Sequence, residues 1–451
     1  MLIFLLYNLV LVLLSPLAVL VLLWRLLANG KSRKGFTEQM GCIAGRKLRG
    51  TAPRIWLHAV SVGETVAAKP IWEALLAALP GWELFHSTTT DTGQAQAQRM
   101  VGDRGQTVYF PFDFLPGVWL SLRAVRPQLV VLVETELWPN FLAVAKMLGC
   151  RVMLANGIIS DRSLRGAARF SFLYRWMLSN IDCFCMQSQE DADRIIRLGA
   201  DPDRVTVVGN TKFDQVLTEV PLGEQVTLRN ALGLKRDEPT VVAGSTHPGE
   251  EEIVLQAFRQ LKTAQPKIRL IIAPRATDRA QAVEELAVAH GFAVARRSKL
   301  ATVPPPPDAV IILDTIGELA RAYALCGVAF VGGSLAPIGG HNLLEPLGLG
   351  KAVLFGPHMH KTRDITNIVL DAGVGYQVAD ADELAARWIE LMSTPRLRRK
   401  IAEQAKGVFA QHSGAAVRCA VIARKLLEVS GTIGLESEVH SPESEVPSPE
   451  S

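Results

Sequence analysis

Short apolar runs alternate with longer amphipathic stretches along most of this chain. In the first half, runs such as IWLHAV (55–60) and CRVMLANG (150–157) end in polar residues or glycine, and most are followed by a helical stretch. From residue 236 onward, runs such as PTVVAGST (239–246) and IRLIIAPR (268–275) repeat this arrangement. Strands that alternate with helices are typical of doubly wound parallel sheets. The pattern therefore predicts an α/β protein with two Rossmann-like domains.

The same pattern divides the chain into segments. We predict an N-terminal Rossmann-like domain over 36–212, a polar linker over 213–235 and a second Rossmann-like domain over 236–428. The end of that second domain, 383–428, is predicted to form two helices. Residues 429–451 are rich in Ser, Pro and Glu, which predicts a disordered acidic tail.

The first residues of the chain are almost entirely apolar. Residues 2–24 carry no charge and are long enough to cross the hydrocarbon core of a bilayer. Basic residues such as Arg25 and Lys34 follow this segment, whereas a cleaved signal peptide usually begins with them. We therefore favour a retained single-pass anchor over 1–28, with a cleaved signal as the alternative. The charge placement predicts that the following domains lie on the cytoplasmic side.

Charge and cysteine content narrow the possible partners. The net charge is +4, and because residues 431–451 hold five Glu and no Lys or Arg, the rest of the chain carries +9. Such a basic body favours anionic partners such as lipid head groups and phosphates. No aromatic–basic repeat of the kind that binds single strands is present, so nucleic acid is disfavoured. The six cysteines have spacings that match neither a disulfide framework nor a zinc site.

In open α/β sheets, ligands bind beyond the carboxyl ends of the strands, so the residues after each run are candidates. Glu64 follows the first run in the turn SVGE, where Gly63 is expected to permit a tight approach. The helix start that follows favours an anion. Two interpretations of Glu64 remain open at this point: a general base, and a simple helix-capping acid.

Three further candidates follow later strands of the first half. Glu134 and Glu136 in ETELWPN would share one face if the preceding strand extends that far. They are otherwise a pair of solvated loop acids. Lys212 in GNTKFD is placed to bind a phosphate or a sugar carboxylate, with a solvated surface lysine as the alternative.

Phosphate-binding candidates occur in the second half. Arg275 ends a strand and can fork onto phosphate. The Gly-rich stretches GGS (332–334) and IGGHNLLEP (338–346) run into a predicted helix, and such backbone can cradle a phosphate. Glu345 is placed to hold ribose hydroxyls, or is a plain helix-turn acid. No Walker sequence is present. The H-x-H at 358–360 lacks a third ligand at a recognisable spacing, so no metal is predicted.

Eleven short strings follow one another in a specific order. They are HAVSVGE, TTTDTG, PFD, ETELWPN, NGIISDRS, GNTKFD, AGSTHPGEEE, APR, GELA, FVGGSLAPIGGHNLLEP and FGPHM. Together they resemble the 3-deoxy-D-manno-octulosonic acid (Kdo) transferases of Gram-negative bacteria, over roughly residues 1–425. The resemblance implies a GT-B fold, in which two Rossmann-like domains face a central cleft, with an N-terminal membrane anchor.

The resemblance also implies an activity. Members transfer Kdo with inversion from CMP-Kdo to lipid IVA, the tetraacyldisaccharide 1,4′-bisphosphate precursor of lipid A, in lipopolysaccharide inner-core biosynthesis. The expected partners are therefore CMP-Kdo, lipid IVA and the lipids of the cell inner membrane. No cofactor is expected, and no metal is required because CMP leaves through a single phosphate. The number of Kdo units transferred and the oligomeric state stay open.

Residue by residue, the resemblance assigns Glu64 as the general base, and Glu134 and Lys212 as groups that stabilise the transition state. Glu136 remains the alternative to Glu134. The CMP-binding positions implied by the resemblance are Pro274, Arg275, Ile316, Gly317, Glu318, Asn342, Leu343, Leu344 and Glu345.

Two other classes of function remain open. A sugar-nucleotide epimerase on the same twin-domain fold would need neither a lipid acceptor nor residues 1–24. A membrane-tethered nucleotide-binding scaffold would bind CMP tightly without transferring anything to a lipid.

Overall fold

The computed structural model describes residues 2–28, 35–43, 48, 50–159, 164, 166, 170–236, 238–300, 304–429 and 431–432. The chain forms two compact units. One unit comprises Met1–Asp214 together with Gly414–Ser451, and the other comprises Gln215–Ser413. The predicted tail 429–451 lies almost entirely outside the described residues.

A seven-stranded parallel sheet in the order β3-β2-β1-β4-β5-β6-β7 forms the centre of the first unit. Its strands are β1 (Arg54–His58), β2 (Glu83–Thr88), β3 (Gly105–Tyr109), β4 (Leu129–Val133), β5 (Arg151–Gly157), β6 (Cys183–Met186) and β7 (Val205–Val207). Every residue of β1 and β4 is buried. Continuous apolar strands are expected where helices cover both faces of a parallel sheet.

In the part of the first unit that the structure describes, eight α-helices precede or connect these strands. They are α1 (Leu2–Ala28), α2 (Phe36–Gln39), α3 (Val62–Ala78), α4 (Asp91–Val101), α5 (Leu115–Val125), α6 (Pro139–Met147), α7 (Ser171–Leu178) and α8 (Gln189–Arg197). One buried cluster joins Trp56, Phe110 and Phe141, and a second, on other side chains of the same strands, joins Ile55 and Trp72. The sheet is thus packed on both faces.

The second unit repeats the architecture with the strand order β10-β11-β9-β8-β12-β13-β14. Its strands are β8 (Thr240–Thr246), β9 (Arg269–Pro274), β10 (Val294–Arg296), β11 (Val310–Ile312), β12 (Val328–Val331), β13 (Ala352–Phe355) and β14 (Gly375–Gln377). Its helices are α9 (Leu222–Ala231), α10 (Glu250–Ala264), α11 (Ala280–Ala289), α12 (Leu319–Leu325), α13 (Leu344–Gly348), α14 (Arg363–Asp371), α15 (Ala381–Ser393) and α16 (Pro395–His412).

The last helix, α17 (Ala415–Val429), returns to the first unit. Its buried side chains Cys419, Ala423 and Leu427 belong to the same cluster as Ile55 of β1 and Trp72 of α3. Asp214 fixes its start, because the carboxylate accepts hydrogen bonds from the backbone N–H groups of Gly414 at 2.5 Å and Ala416 at 2.8 Å. The helix therefore completes a core whose other members lie more than 200 residues earlier.

The predicted α/β class with two parallel sheets is confirmed. The predicted boundaries differ from the observed ones at three points. The segment 383–428 contains parts of three helices instead of two, and α17 places the end of the predicted domain 236–428 in the first unit. The predicted linker 213–235 contains α9, whose Leu228 is buried in the second unit's core. The strands β10 and β14 were not predicted.

Helix α1 makes specific polar contacts with the first unit. The Tyr7 hydroxyl donates to Asp113 Oδ2 at 2.9 Å, and the amides of Asn8 and Asn140 exchange two hydrogen bonds of 2.8 and 3.0 Å. Within the described part of the chain, no helix combines the length and apolar character that a bilayer crossing requires. The anchor over 1–28 stays a prediction.

Replacing Asp214 with Ala is expected to destabilise the first unit by about 1–2 kcal/mol, the usual cost of removing a helix-capping side chain. The substitution leaves two N–H groups at the start of α17 without their acceptor. Urea unfolding of the full chain measures the effect. Asp203→Ala is the matched control, since Asp203 is exposed and should change the free energy of unfolding very little. Equal stability of both variants would contradict the capping role.

Candidate active site

Glu64, Glu134 and Lys212 lie in segments that follow the carboxyl ends of β1, β4 and β7. The first two strands are neighbours in the sheet, and β5 continues it on the side of β4. Because all these strands run parallel, their carboxyl ends meet at one edge. That edge is where ligands bind in sheets of this kind.

Glu64 takes part in a capping box at the start of α3. Its backbone N–H donates to Ser61 Oγ at 3.3 Å, and the Ser61 hydroxyl donates in turn to Glu64 Oε1 at 2.8 Å. The N–H of Val60 donates to Glu64 Oε2 at 2.7 Å. The capping interpretation is therefore confirmed, and it also fixes both carboxylate oxygens at the sheet edge.

Gly63 lies in the first turn of α3, directly before Glu64. Its φ lies outside the left-handed region, and a Cβ built on it would meet no atom nearer than Ser61 Oγ at 3.8 Å. The predicted tight approach at Gly63 therefore depends on the missing side chain and not on an unusual backbone conformation. The absence of a side chain at Gly63 leaves open space beside Glu64.

Glu134 has a strained backbone. Strand β4 ends at Val133, and Glu134 adopts a left-handed conformation with φ of 64°. Because the strand does not extend to Glu134, the condition under which Glu134 and Glu136 would share a strand face is not met. A non-glycine residue in this region costs roughly 1–2 kcal/mol, and such strain is concentrated at functional sites. The N–H of Glu134 donates to Ala155 O at 3.0 Å, which holds the turn against β5.

A hydrogen-bonded network positions Lys212. Asn156, also left-handed with φ of 54°, accepts the N–H of Thr211 at its Oδ1 atom, 3.1 Å away. The Thr211 hydroxyl donates to the carbonyl of Ala67 in α3 at 3.2 Å. The N–H of Lys212 donates to Asn210 Oδ1 at 2.9 Å. The loop that carries Lys212 is thus tied to β5 on one side and to the helix of Glu64 on the other.

The pKa values of Glu134 and Glu136 respond to burial and to the charges around them. Burial raises the pKa of Glu134, the charge of Glu64 raises it further, and Lys212 opposes the rise. Burial, then the Glu64 charge, raises the pKa of Glu136 to about 7. Within the described residues Lys212 forms no ion pair, so its charge is available. The three predicted residues are therefore brought together, and Glu136 lies among them.

In the second unit, Arg275 is the centre of a separate cluster. It directly follows β9 and is exposed, with its N–H bonded to Thr246 O at 3.0 Å. Burial and then the Arg275 charge lower the pKa of His341 to about 4. Burial raises the pKa of Glu345, while a hydrogen bond from Asn342 and the Arg275 charge oppose the rise. The charge of Arg275 thus acts on both a half-buried acid, Glu345, and the imidazole of His341.

Around α13, the predicted segment 342–345 divides into two kinds of residue. Leu343 and Leu344 are fully buried, so only their backbone is available to a ligand. The Asn342 amide donates to Glu345 Oε1 at 3.4 Å, and Asn342 Oδ1 accepts the N–H of Leu344 at 3.1 Å. Asn342 and Glu345 therefore present the polar side chains of this segment.

Beyond β11, the next strand to β9, the predicted segment 316–318 takes a different form. Ile316 is 91% exposed and Gly317 is left-handed with φ of 88°. Arg297 forks onto the Glu318 carboxylate at 2.9 and 3.1 Å, at the wall of a cavity of about 460 Å³. Burial raises the pKa of Glu318, but the bonds from Arg297 and Thr315 outweigh it, so the pKa is lowered. Glu318 is thus committed to an ion pair.

Four successive N–H groups, those of Gly333 to Ala336, donate to the carboxylate of Glu250. The prediction that this part of the Gly-rich stretch cradles a phosphate is therefore wrong. No role for Glu250 was predicted, because acids in the first turn of a helix are ordinarily solvated. In the described residues no group of three or more His, Cys, Asp or Glu is arranged to hold a metal ion.

Comparisons with known proteins bear on what this site does. A family model described as 3-Deoxy-D-manno-octulosonic-acid transferase (kdotransferase) matches residues 31–215. The 3-deoxy-D-manno-octulosonic acid transferase of Bordetella pertussis is 34% identical, over 81% of this chain and 86% of its own length. A bifunctional glycosyltransferase/methyltransferase of Fusobacterium nucleatum is 36% identical over 73% of this chain, which spans about half, 51%, of that longer protein.

Solved structures resemble the whole architecture at much lower identity. The UDP-GlcNAc 2-epimerase of Neisseria meningitidis, bound to UDP-GlcNAc, is 12% identical, with a TM-score of 0.57 over 83% of this chain and 99% of its own. That likeness concerns the fold alone. By sequence identity over most of both chains, this protein belongs to the 3-deoxy-D-manno-octulosonic acid transferase family, and it is a glycosyltransferase.

Proposed function

We propose that this Kdo transferase takes Kdo from CMP-Kdo and transfers it, with inversion of the anomeric centre, to lipid IVA. The single observation that carries the proposal is the edge of the first sheet, where Glu64, Glu134 and Lys212 follow the carboxyl ends of parallel strands and the charges of Glu64 and Lys212 both act on the pKa of Glu134. Membership of the family indicates that the transferred sugar is Kdo. The basic character of the chain suits a donor and an acceptor that are both anionic.

Glu64 is the general base in this proposal. It takes the proton of the acceptor hydroxyl while the hydroxyl oxygen attacks the anomeric carbon, and the bond to CMP breaks with its electron pair going to the phosphate. Ser61 and Val60 fix the two carboxylate oxygens. Each oxygen keeps a further lone pair for the acceptor. The open space beside Gly63 gives that hydroxyl a route to Glu64.

Glu134 and Lys212 act on the sugar. A glycosyl transfer passes through a transition state with positive charge on the ring, and a carboxylate beside it stabilises that charge. Lys212, whose ammonium forms no ion pair within the described residues, binds the carboxylate of the Kdo. Glu136 is the alternative to Glu134. The strained turn at φ of 64° favours Glu134, because strain is retained where it serves the site.

The second unit binds the nucleotide in this proposal. Arg275 is exposed beside the half-buried Glu345, so its guanidinium can fork onto the phosphate of CMP. Glu345 and Asn342 offer carboxylate and amide oxygens to the ribose hydroxyls. No cofactor or metal is needed, because a monophosphate leaving group carries too little charge to require a chelated ion.

Helix α1 places the enzyme at the inner membrane in this proposal, with the two units on the cytoplasmic side. One side of the helix bonds to the first unit through Tyr7 and Asn8. Other positions expose large apolar side chains, including Leu6, Leu9 and Leu13 at 51–70% exposure. A contiguous apolar surface of this kind marks a membrane or protein contact.

Incubating the protein with CMP-Kdo and lipid IVA is expected to give a Kdo-bearing lipid, detected by mass analysis of the product. Glu64→Gln should lower kcat by about 10²- to 10⁴-fold, the usual contribution of a general base. Glu73→Gln on the same helix is the matched control, because the Glu73 side chain is 40% exposed and pairs with Arg104. Normal turnover by Glu64→Gln would remove the base assignment. CMP binding without any transfer would favour a scaffold.

Glu136 should make stability depend on pH in a defined direction. Its pKa is raised to about 7 in the folded protein, so between pH 4.5 and 7 the folded state holds more protons than the unfolded state. The free energy of unfolding therefore falls as pH rises through this window. Glu136→Gln should make that fall shallower in urea titrations at pH 5 and pH 7.5. Parallel declines in variant and wild type would show that Glu136 titrates normally.

Replacing Leu6, Leu9 and Leu13 together with Ser is expected to release the protein from anionic vesicles in a sedimentation assay. The three changes leave the contacts of Tyr7 and Asn8 in place. Val288→Ser in the second unit, at 58% exposure, is the control for a general loss of surface apolarity. Undiminished sedimentation of the triple variant would exclude α1 as the membrane contact.

A further inference from the structure

Glu250 is the most highly coordinated carboxylate in the described part of the second unit. It lies in the first turn of α10, is fully buried, and forms no ion pair there. Its Oε2 atom accepts the N–H groups of His247 at 2.9 Å and Gly333 at 2.7 Å. Its Oε1 atom accepts those of Ser334, Leu335 and Ala336 at 2.9, 2.8 and 3.2 Å. Five backbone donors thus converge on one side chain.

The loop that these bonds shape, residues 332–341, leads directly into the donor-binding segment. The N–H of Gly340 donates to the carbonyl of Gly333 at 2.6 Å, which closes the loop onto its own start. His341 follows at once, and its Nε2 atom lies 2.8 Å from Nε2 of His247. Glu250 therefore holds both sides of the histidine pair: the backbone of His247, and the loop base from which His341 projects.

There is little room for the loop to take another form. A Cβ on Gly332 would lie 2.6 Å from Ser245 O and 2.8 Å from Glu250 Oε2, and one on Gly333 would lie 2.8 Å from the His341 ring. Ser245, at the end of β8, is itself left-handed with φ of 55°. The carboxylate occupies the position that an anionic ligand takes in other concave backbone loops.

We infer that Glu250 is a positioning residue for the donor. Its carboxylate substitutes for a bound anion, organises the 332–341 loop, and so sets His341, Asn342 and Glu345 against Arg275 before any ligand arrives. The inference rests on the proposed function in one respect, since the donor is CMP-Kdo. It also means that the donor phosphate is bound by side chains such as Arg275, because the N–H groups of 333–336 are already used.

Glu250→Gln tests the inference, since the amide keeps the size of the side chain but replaces one acceptor oxygen with a donor. Calorimetry with CMP-Kdo should show a Kd raised by about tenfold or more, the scale of one lost charge-assisted hydrogen bond. The KM for lipid IVA should be unchanged. Glu251→Gln is the matched control: Glu251 is equally buried in the same helical turn, but pairs with Arg279 at 2.7 Å. It should bind CMP-Kdo normally.

Amide hydrogen exchange separates this inference from the proposed function, because it requires no ligand. Segment 332–341 should exchange faster in Glu250→Gln and at the wild-type rate in Glu251→Gln. A wild-type enzyme that transfers no Kdo would overturn the proposed function. The hydrogen-exchange comparison would still show whether Glu250 organises the 332–341 loop. If Glu250→Gln does not fold, Glu250→Asp, which keeps the charge and shortens the reach, should show an intermediate Kd. Wild-type affinity in either folded Glu250 variant would overturn the inference.

Discussion

Both sheets consist only of parallel strands, and this constraint determines where chemistry can occur in each unit. A parallel strand must be followed by a crossover that covers a face of the sheet, so both faces are apolar and closed. Polar groups are left at the ends of the strands. Glu64 and Glu134 in the first unit, and Arg275 and His341 in the second, all follow strand ends. The covering of both sheet faces therefore explains why the candidate residues lie at the ends of the strands.

At three of these strand ends the backbone is held in a conformation that a side chain disfavours. Glu134, Asn156 and Ser245 have φ values of 54–64°. Each is over-determined by its surroundings, as in the case of Asn156, whose side chain accepts a bond from Thr211 while its carbonyl accepts one from Gln187. Conformational strain of this kind persists only where neighbouring bonds compensate for it. The rigid sheets thus supply the support that allows precise loops at their edges.

The sequence alone predicted most of the strands, the family and the candidate acids. Apolar runs locate strands well when they are long and rich in β-branched residues, as in Thr240–Thr246. They fail for Val294–Arg296 and Gly375–Gln377, which lack a longer apolar run and are recognisable as strands only by their pairing with a neighbour in the sheet. The motif order indicated the family and the candidate acids. It could not show that Glu134 leaves the strand, since backbone dihedrals depend on the contact with Ala155.

Contacts between residues that are distant in the sequence could not be predicted from the sequence either. A Glu in the first turn of a helix is ordinarily read as a solvated acid, and only the folded loop reveals that Glu250 is enclosed by N–H groups. The amphipathic pattern of the last helix indicates a buried face, but not which core receives it. In the structure, Cys419 and Leu427 of this helix pack into the cluster that is built on β1 and α3.

The return of α17 has a consequence for how the chain is made. During synthesis the first unit emerges first, yet its core stays incomplete until residues 414–429 have left the ribosome. The second unit is continuous from Gln215 to Ser413, so it can finish folding earlier, although it is translated later. Domains that fold as they are made normally do so from the amino terminus. Here the first unit can complete its core only after the whole of the second unit, residues 215–413, has been translated. The surface of β1 and α3 that α17 covers is without that cover until then.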